Sequence, residues 1–375
     1  MIKVLFLIHD LGQGGAEKVL VNLVNNMDTS KFEITVMTLF DVGVNRQFLS
    51  DKIKYQTIFP KVFPGNSHIM KLFSPEMLHN LFIKKHYDIE VAYLEGPCAR
   101  IISGCTDVNT KLVSWIHIEQ RSKDRAAVSF RNIKEATKCY NRFDQIVCVS
   151  ESVKKDFTTL IQLSVPISVL YNTNESEKIL KYSVEQVTDV VISEQEIKLV
   201  GVGKLLKSKG FDRILRITKR LLEEKYPIHL FILGVGPEKS NLKKYVNEQR
   251  MEDSVDFLGY KTNPYKYVAK SDLFICASYA EGFSTAATES LIVGTPVCTV
   301  EVSGMKEMMG ENNEFGVVTE NEDESLYRGI KSLLDDKKLL QYYKLRAEER
   351  GKMFSTKNTV RAVEEMFRSL MGLDD

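Results

Sequence analysis

This chain is short of several things, and each shortage removes a class of protein. Its six cysteines, at positions 98, 105, 139, 148, 276 and 298, form no C-x-x-C pair and no cysteine–histidine cluster in sequence. A disulfide framework and a zinc site are therefore not expected, and a reducing cytoplasm is. No apolar run approaches the roughly 18 residues of a membrane-spanning helix. The opening MIKVLFLIHD has too short an apolar run for a secretory signal and passes straight into a glycine-rich loop, so it reads as a first buried strand. Charge of one sign is also missing: 51 Lys and Arg against 50 Asp and Glu leave a formal net charge of +1, which argues against nucleic acid as a partner. There is no D-x-D pair to carry Mg²⁺, no G-x-x-x-x-G-K-[ST] phosphate loop and no complete G-x-G-x-x-G. Position 17, where the third glycine of that last pattern would stand, is Glu17, and no acid follows at the ribose-binding distance, so a nicotinamide cofactor is not expected.

What is present is a rhythm. Short apolar runs at residues 4–8, 33–39, 89–94, 112–116 and 145–149 alternate with helical patterns, and the rhythm repeats at 198–202, 229–233, 255–258, 272–277 and 297–300. Such alternation predicts an α/β chain with parallel sheets covered by helices on both faces. The helix near 208–224 shows the period well, with Phe211, Ile214, Leu215, Thr218, Leu221 and Leu222 on one stripe. The polar, acidic stretch 171–196 has the weakest periodicity and is the expected linker. The chain then divides into an N-terminal domain, 1–172, and a C-terminal domain, 190–354. A capped tail helix lies within 355–375.

Residues 272–298 hold the densest chemistry: strand, tight loop, helix, turn, strand. Glu281 sits on the loop and Glu289 inside the helix, which is expected from about Ser284 to Val293. The backbone amides of Phe283, Ser284 and Thr285 would lie at the helix N-terminus, where anions bind. Two acids beside such amides suit a ligand that is phosphate at one end and polyhydroxyl at the other. A second stretch, 202–210, puts Lys204 and Lys209 across a strand-to-helix turn framed by Gly203 and Gly210. Two ammonium groups there could clamp a diphosphate without a metal, and the plainer reading is a solvated basic turn. Gly14 and Gly15, after the first strand, would let backbone approach a phosphate, or merely make a tight turn. His117, in WIHIEQ at a strand end, stands where open α/β sheets collect ligands, although a lone histidine is more often structural; Glu119 is the alternative polar group there. Finally, residues 121–142 carry seven Lys or Arg against Asp124 and Glu135, with Phe130, Ile133 and Tyr140 interleaved. That segment fits either peripheral contact with an anionic membrane or an ordinary solvated helix.

Taken together the pieces resemble the retaining GT-B glycosyltransferases of family 4, over nearly the whole chain. The most specific element is E-x₇-E, Glu281 to Glu289, inside SYAEGFSTAATESLIVGTPV. It is joined, in order, by GGAEKVLVNL at 14–23, the histidine of WIHIEQ, VSESVKKDF at 149–157, GVGKLLKSKG at 201–210, FILGVGPEKSNL at 231–242, FLGY at 257–260 and SGMKE at 303–307. The resemblance implies two Rossmann-like domains facing each other across a cleft, the second binding a nucleotide sugar and the first an acceptor, with the tail helix crossing back to the first. By the same resemblance, Lys204 and Lys209 match the basic pair on the donor diphosphate; many relatives carry arginine at the former position. Glu289 matches the acid on the ribose hydroxyls, and Glu281 and His117 match groups beside the donor sugar. Amides of Phe283, Ser284 and Thr285 would contact sugar and diphosphate, and Gly203 frames the basic turn. Tyr260 of FLGY would lie by the base, and the Gly14–Gly15 loop would close over the phosphates. Where relatives often carry N-G-[VI]-D at the domain junction, this chain has Asn172-Thr173-Asn174-Glu175, so no role carries over to Asn172.

The expected activity is retaining transfer of a sugar from a nucleotide diphosphate, a UDP-sugar by family frequency, to a glycan or lipid-linked acceptor. The expected setting is bacterial cell-surface polysaccharide synthesis (capsule, lipopolysaccharide or teichoic acid), at the inner face of the cell membrane, without metal or cofactor. Alternatives are a soluble-acceptor transferase or sucrose-type synthase, a nucleotide-sugar epimerase, and an inactive homologue serving another transferase. The E-x₇-E context argues against the epimerase, and intact Glu281, Glu289, Lys204 and Lys209 argue against the inactive homologue.

Overall fold

The computed structural model of the chain describes residues 1–12, 14–190 and 193–373; Gln13 of the glycine loop, residues 191–192 of the expected linker and the last two residues of the tail lie outside it. The chain forms two compact units. One is Met1–Asn174 together with Thr356–Asp375, and the other is Glu175–Ser355.

The first unit is built on seven strands: β1 (Ile2–Ile8), β2 (Phe32–Phe40), β3 (Lys54–Phe59), β4 (Ile89–Ala92), β5 (Lys111–Ile116), β6 (Gln145–Cys148) and β7 (Ile167–Val169). They pair in parallel in the order β3-β2-β1-β4-β5-β6-β7. The second unit has β8 (Ile197–Val202), β9 (Ile228–Leu233), β10 (Val255–Gly259), β11 (Leu273–Cys276), β12 (Val297–Val300) and β13 (Val317–Thr319). These are also all parallel, in the order β10-β9-β8-β11-β12-β13. The central strands are apolar on both faces because helices cover both. From Val4 to Ile8 no residue of β1 is exposed, and β4, β11 and β12 are buried throughout.

Three strands escape the apolar-run criterion: β3, β7 and β13. All three are edge strands and only partly buried, so they carry no continuous apolar run. The helix Phe211–Glu223 buries Phe211, Ile214, Leu215, Thr218 and Leu221 as its period predicts, and Ile217 and Arg213 besides.

Both sheets have a point where the winding direction reverses. In the first, the chain runs outward from β1 to β2 and β3, then restarts at β4 beside β1. In the second it runs from β8 to β9 and β10, then restarts at β11 beside β8. The carboxyl ends flanking these points, β1/β4 and β8/β11, are where an open α/β sheet offers a crevice.

The tail helix Thr356–Leu370 belongs to the first unit. Its Phe367 is fully buried, with ring centroids 6.0 Å from Phe6 and 6.2 Å from Phe32. The junction is pinned within that unit: Asn22 Nδ2 donates to the Thr173 carbonyl at 3.1 Å and Thr356 Oγ1 to the Asn174 carbonyl at 2.8 Å. The stretch expected as linker carries a helix, Ser176–Ser183, which buries Ile179 in the second unit. Its charged residues lie on the outer face and dilute the apolar signal.

The basic stretch 121–142 is not an apolar surface. Phe130 and Tyr140 are each 1% exposed and pack on one another, so the aromatics expected to meet lipid are core residues. All six cysteines are free and buried. No helix among the described residues is long and apolar enough to cross a membrane.

Candidate active site

In the second unit, three loops meet at the carboxyl ends of β8, β9 and β11. The loop after β8 is tied to the loop after β9 by backbone alone: the Gly203 amide donates to Leu233 at 3.0 Å and the Leu205 amide to Val235 at 2.9 Å. The fit is so close that a Cβ on Gly234, whose φ is +142°, would sit 1.8 Å from the Gly203 carbonyl oxygen. Gly210 closes the same loop at φ +67°, and a Cβ there would lie 2.0 Å from the carbonyl oxygen of Ala277 at the end of β11. The Tyr279 amide then donates to the Ser208 carbonyl at 2.8 Å. The E-x₇-E loop and the basic turn are thus one structure.

Within it, Lys209 Nζ lies 2.6 Å from Glu281 Oε1, and Ser278 Oγ donates to the same oxygen at 2.7 Å. The glutamate side chain is 9% exposed and the lysine side chain 31%. The residue expected on the donor diphosphate and the residue expected beside the donor sugar therefore hold each other. Lys204 is exposed and has no ion-pair partner among the described residues. Buried Arg213 braces the loop from beneath: it donates to Asp323 at 2.8 Å, to Asn321 and to the Ala277 carbonyl, and stacks on Tyr279.

The helix expected after this loop runs Thr285–Ile292, with Ser284 as N-cap; Ser284 Oγ accepts from the Ala287 amide at 3.4 Å. One helix-end donor is thereby satisfied internally, and Thr285 is the first helical residue. Phe283 is buried, its ring 5.8 Å from that of Phe354. Glu289 is 6% exposed, with Tyr265 Oη 3.5 Å from its carboxylate. Tyr260, following edge strand β10, is 59% exposed and stands apart from the β8/β11 crevice, though on the same edge of the sheet.

In the first unit, the loop after β1 is ordered by Asp10, whose Oδ1 accepts from the Gly12 amide at 2.7 Å. A hydrogen bond with His9 holds the Asp10 carboxyl below its usual range, against its burial and with help from that amide. Gly14 is the N-cap of the helix Gly15–Asn26. That helix start is already occupied: a Cβ on Gly14 would fall 2.0 Å from a carboxylate oxygen of Glu17. An anion approaching Gly14 and Gly15 would first have to displace that side chain.

His117 lies just past β5 and is 7% exposed. Its ring packs 4.8 Å from that of Tyr93, and its Nε2 is buried with no hydrogen-bond partner among the described residues. Burial pushes its pKa down to about 3, against the opposing effect of a hydrogen bond with the Tyr93 backbone. The imidazole is therefore neutral, with one ring nitrogen buried and unpaired among the described residues. Its position depends on a residue the sequence reading passed over. Glu95, after β4, accepts from the His117 amide at 3.1 Å and from Gln120 Nε2 at 3.3 Å, and burial raises its pKa. Its signal in the sequence was an acid directly following the apolar run VAYL, on the strand beside β1. Glu119 instead pairs with exposed Arg121 at 3.4 Å.

The fold also assembles a cluster invisible in sequence spacing: His79, Glu90 and Cys105, with donor atoms within 4.8 Å of one another. His79 Nε2 lies 2.8 Å from Glu90 Oε2. Burial opposes charge on the ring, but Cys105 and Glu90 beside it outweigh burial and raise the His79 pKa to about 9. The histidine–glutamate contact braces the helix Pro75–Phe82 on β4.

Two family models match the chain: "Glycosyltransferase Family 4" over residues 13–174 and "Glycosyl transferases group 1" over residues 185–350. A relative from Campylobacter jejuni, N-acetylgalactosamine-N,N'-diacetylbacillosaminyl-diphospho-undecaprenol 4-alpha-N-acetylgalactosaminyltransferase, is 28% identical over 99% of this chain and all of its own length. Among solved structures, HepE of Anabaena in complex with UDP superposes with a TM-score of 0.76 at 16% identity, covering 98% of this chain and 100% of that one. A TarM mutant of S. aureus in complex with fondaparinux, alpha-GlcNAc-glycerol and UDP gives 0.74 at 14% identity, covering 98% and 100%. At such identities the structural likeness establishes the fold, two parallel α/β sheets of GT-B type.

Proposed function

The chain belongs to the family 4, group 1 glycosyltransferases, and from that premise we propose that it moves a sugar, with retention, from a UDP-sugar to a lipid-linked glycan in bacterial cell-surface polysaccharide synthesis. The full-length relative acting on a diphospho-undecaprenol acceptor supports the acceptor class, and the UDP complexes of its structural neighbours support the donor. The observation that carries the reading is the Lys209–Glu281 pair at the β8/β11 crevice, with Glu289 buried on the helix that follows.

Transfer breaks the bond between the anomeric carbon and the diphosphate. Negative charge grows on the leaving oxygens while positive charge grows on the sugar. Lys209, Lys204 and the amides around Phe283, Ser284 and Thr285 stabilise the leaving charge, which leaves no step that calls for a metal. Within the second unit Glu289 holds the ribose hydroxyls, Glu281 faces the donor sugar and Tyr260 lies by the base; the roles of His117, Gly14 and Gly15 rest on the family resemblance alone, and a phosphate at the two glycines would first have to displace Glu17. Glu281 is not assigned as a nucleophile: the leaving oxygen itself takes the acceptor proton on the same face.

The test is a panel of nucleotide sugars screened first by thermal shift, since a tight ligand raises stability by mass action, then by release of UDP or GDP, with and without EDTA. Lys209→Ala is expected to lower kcat by about 10²- to 10³-fold, the usual cost of one transition-state donor. Glu289→Ala is expected to raise the donor KM about ten- to a hundredfold, the loss of a charge-assisted hydrogen bond. Near-normal kcat in Lys209→Ala sinks the clamp, and activity lost to EDTA sinks the metal-free reading. Donor binding with no release of nucleotide by the unaltered protein favours the inactive homologue.

A further inference from the structure

One stretch singled out in the sequence, SGMKE at 303–307, takes no part in the reaction above. It follows β12, which lies on the far side of β11 from β8. The sheet is parallel, so this loop leaves the same carboxyl edge that carries the basic turn after β8 and the Glu281 loop after β11. It packs directly on the Glu281 loop. Gly304 has φ +77°, and a Cβ there would lie 2.8 Å from both the Gly282 carbonyl oxygen and Phe283 Cδ2. The short helix that follows, Met305–Met309, continues the contact: Met308 Sδ lies 3.8 Å from Thr288 Oγ1, on the helix that carries Glu289.

The turn is otherwise closed on itself. The Glu301 amide donates to the Thr319 carbonyl at 2.7 Å, the Met305 amide to Val302 at 3.1 Å and the Met308 amide to Gly304 at 2.9 Å. Lys306 Nζ and Glu301 Oε1 pair across it at 2.7 Å. One group is left over. Ser303 is 6% exposed, and its Oγ is buried with no hydrogen-bond partner among the described residues. A buried hydroxyl in that state costs stability and returns none. Native proteins satisfy nearly all such groups, so this one calls for a partner from outside the chain.

Place and chemistry narrow that partner. The turn with Lys204 and Lys209 comes from β8 and the turn with Ser303 from β12, so the two flank the Glu281 loop from opposite sides. The diphosphate belongs with the lysines. The base is assigned to Tyr260, after β10, at the other end of the strand order. The Ser303 turn holds no cation for a phosphate, since Lys306 is taken by Glu301. A neutral hydroxyl, able to donate and to accept, suits a neutral polar group. The part of the donor that remains, and that offers such groups, is the sugar.

We propose that Ser303 is a specificity-determining residue, its hydroxyl kept for a hydroxyl or acylamino group of the donor sugar. This rests on the donor reading above and extends it. A site that must satisfy a buried hydroxyl disfavours a sugar that lacks the matching group. The test is calorimetric titration of the full-length protein with UDP, UDP-glucose, UDP-galactose and the N-acetylated counterpart of each sugar. Ser303→Ala is expected to bind the preferred UDP-sugar about three- to tenfold more weakly, the worth of one hydrogen bond, and UDP itself with unchanged affinity. Weakening of the N-acetylated donors alone identifies the acylamino group as partner, and weakening of both members of a pair identifies a hydroxyl. Without ligand, Ser303→Ala should melt no lower than the native protein, because it loses only an unpaired group. A lower melting temperature makes the hydroxyl a structural one and overturns the inference. Equal weakening of UDP and UDP-sugar overturns it too, as does no weakening of either; in both cases the donor reading stands. If the unaltered protein binds none of the five ligands, the donor reading falls and this inference falls with it.

Discussion

Lys209 and Glu281 are the residues whose meaning changes most between their isolated chemistry and their setting. An ammonium 2.6 Å from a nearly buried carboxylate is held in place, and the donor diphosphate proposed above would have to compete for it. Ser278 keeps a second hydrogen bond on the glutamate, so the carboxylate keeps a partner if the lysine turns to phosphate. His117 makes a related point about protons. Its pKa is lowered from the ordinary 6.5 to about 3 by burial, so folding favours the neutral ring. The stability gained is present above pH 6.5 and is lost as pH falls from there toward 3. Melting temperatures of the native protein and of His117→Asn, taken from pH 8 down to pH 5, should therefore diverge, the native protein losing stability faster on acidification. Parallel curves would show a ring already open to solvent. A neutral His117 also predicts no inflection from it in the rate profile between pH 4 and 8.

Among the elements, the turn after β8 shows how backbone geometry brings separate motifs together. Gly210 has a positive φ, and its missing Cβ is the space in which the Ala277 carbonyl sits. Gly210→Ala meets two costs: a left-handed conformation for a residue with a side chain, about 1–3 kcal/mol, and a clash with backbone that cannot swing away. Denaturant unfolding of the variant should show at least that loss, together with weaker donor binding, because moving the turn moves Lys209 off Glu281. Retained stability and donor affinity would mean the turn relaxes freely. The element-scale reading of the sequence went astray only where burial is one-sided. The strands β3, β7 and β13 are edges, so nothing requires their residues to be apolar on both faces. The acidic stretch after Tyr171 hides a helix for the same reason, since only Ser176, Ile179 and Ser183 of it are buried.

For the whole molecule, the chain does not divide at one place. The last helix leaves the second unit and completes the first, where Val360, Val363 and Phe367 are buried, the last against rings contributed by β1 and β2. Glu364 also accepts from the Asp28 amide at 2.6 Å. The first unit's core thus includes side chains from this helix. Phe367→Ala should cost about 3–5 kcal/mol, as for other large aromatics removed from a core. The loss should fall on the first unit: hydrogen exchange should quicken in β1 and β2 while β8 to β12 keep their protection. Uniform loss across both units would show that the two unfold together.

The sequence alone determined the class of fold and the identity of most candidate groups. Central parallel strands are buried on both faces and must be apolar, and the glycines, lysines and glutamates stand at fixed distances from strand ends. These are local constraints, readable along the chain. Tertiary structure alone decided the pairings. It joined Lys209 to Glu281 across 72 positions, put Glu95 under His117, filled the Gly14 helix start with Glu17, and buried Phe130 and Tyr140 while leaving Leu72 and Met77 outside. Each of these depends on which strand lies beside which and on which side chain finds room, and no spacing along the chain encodes that.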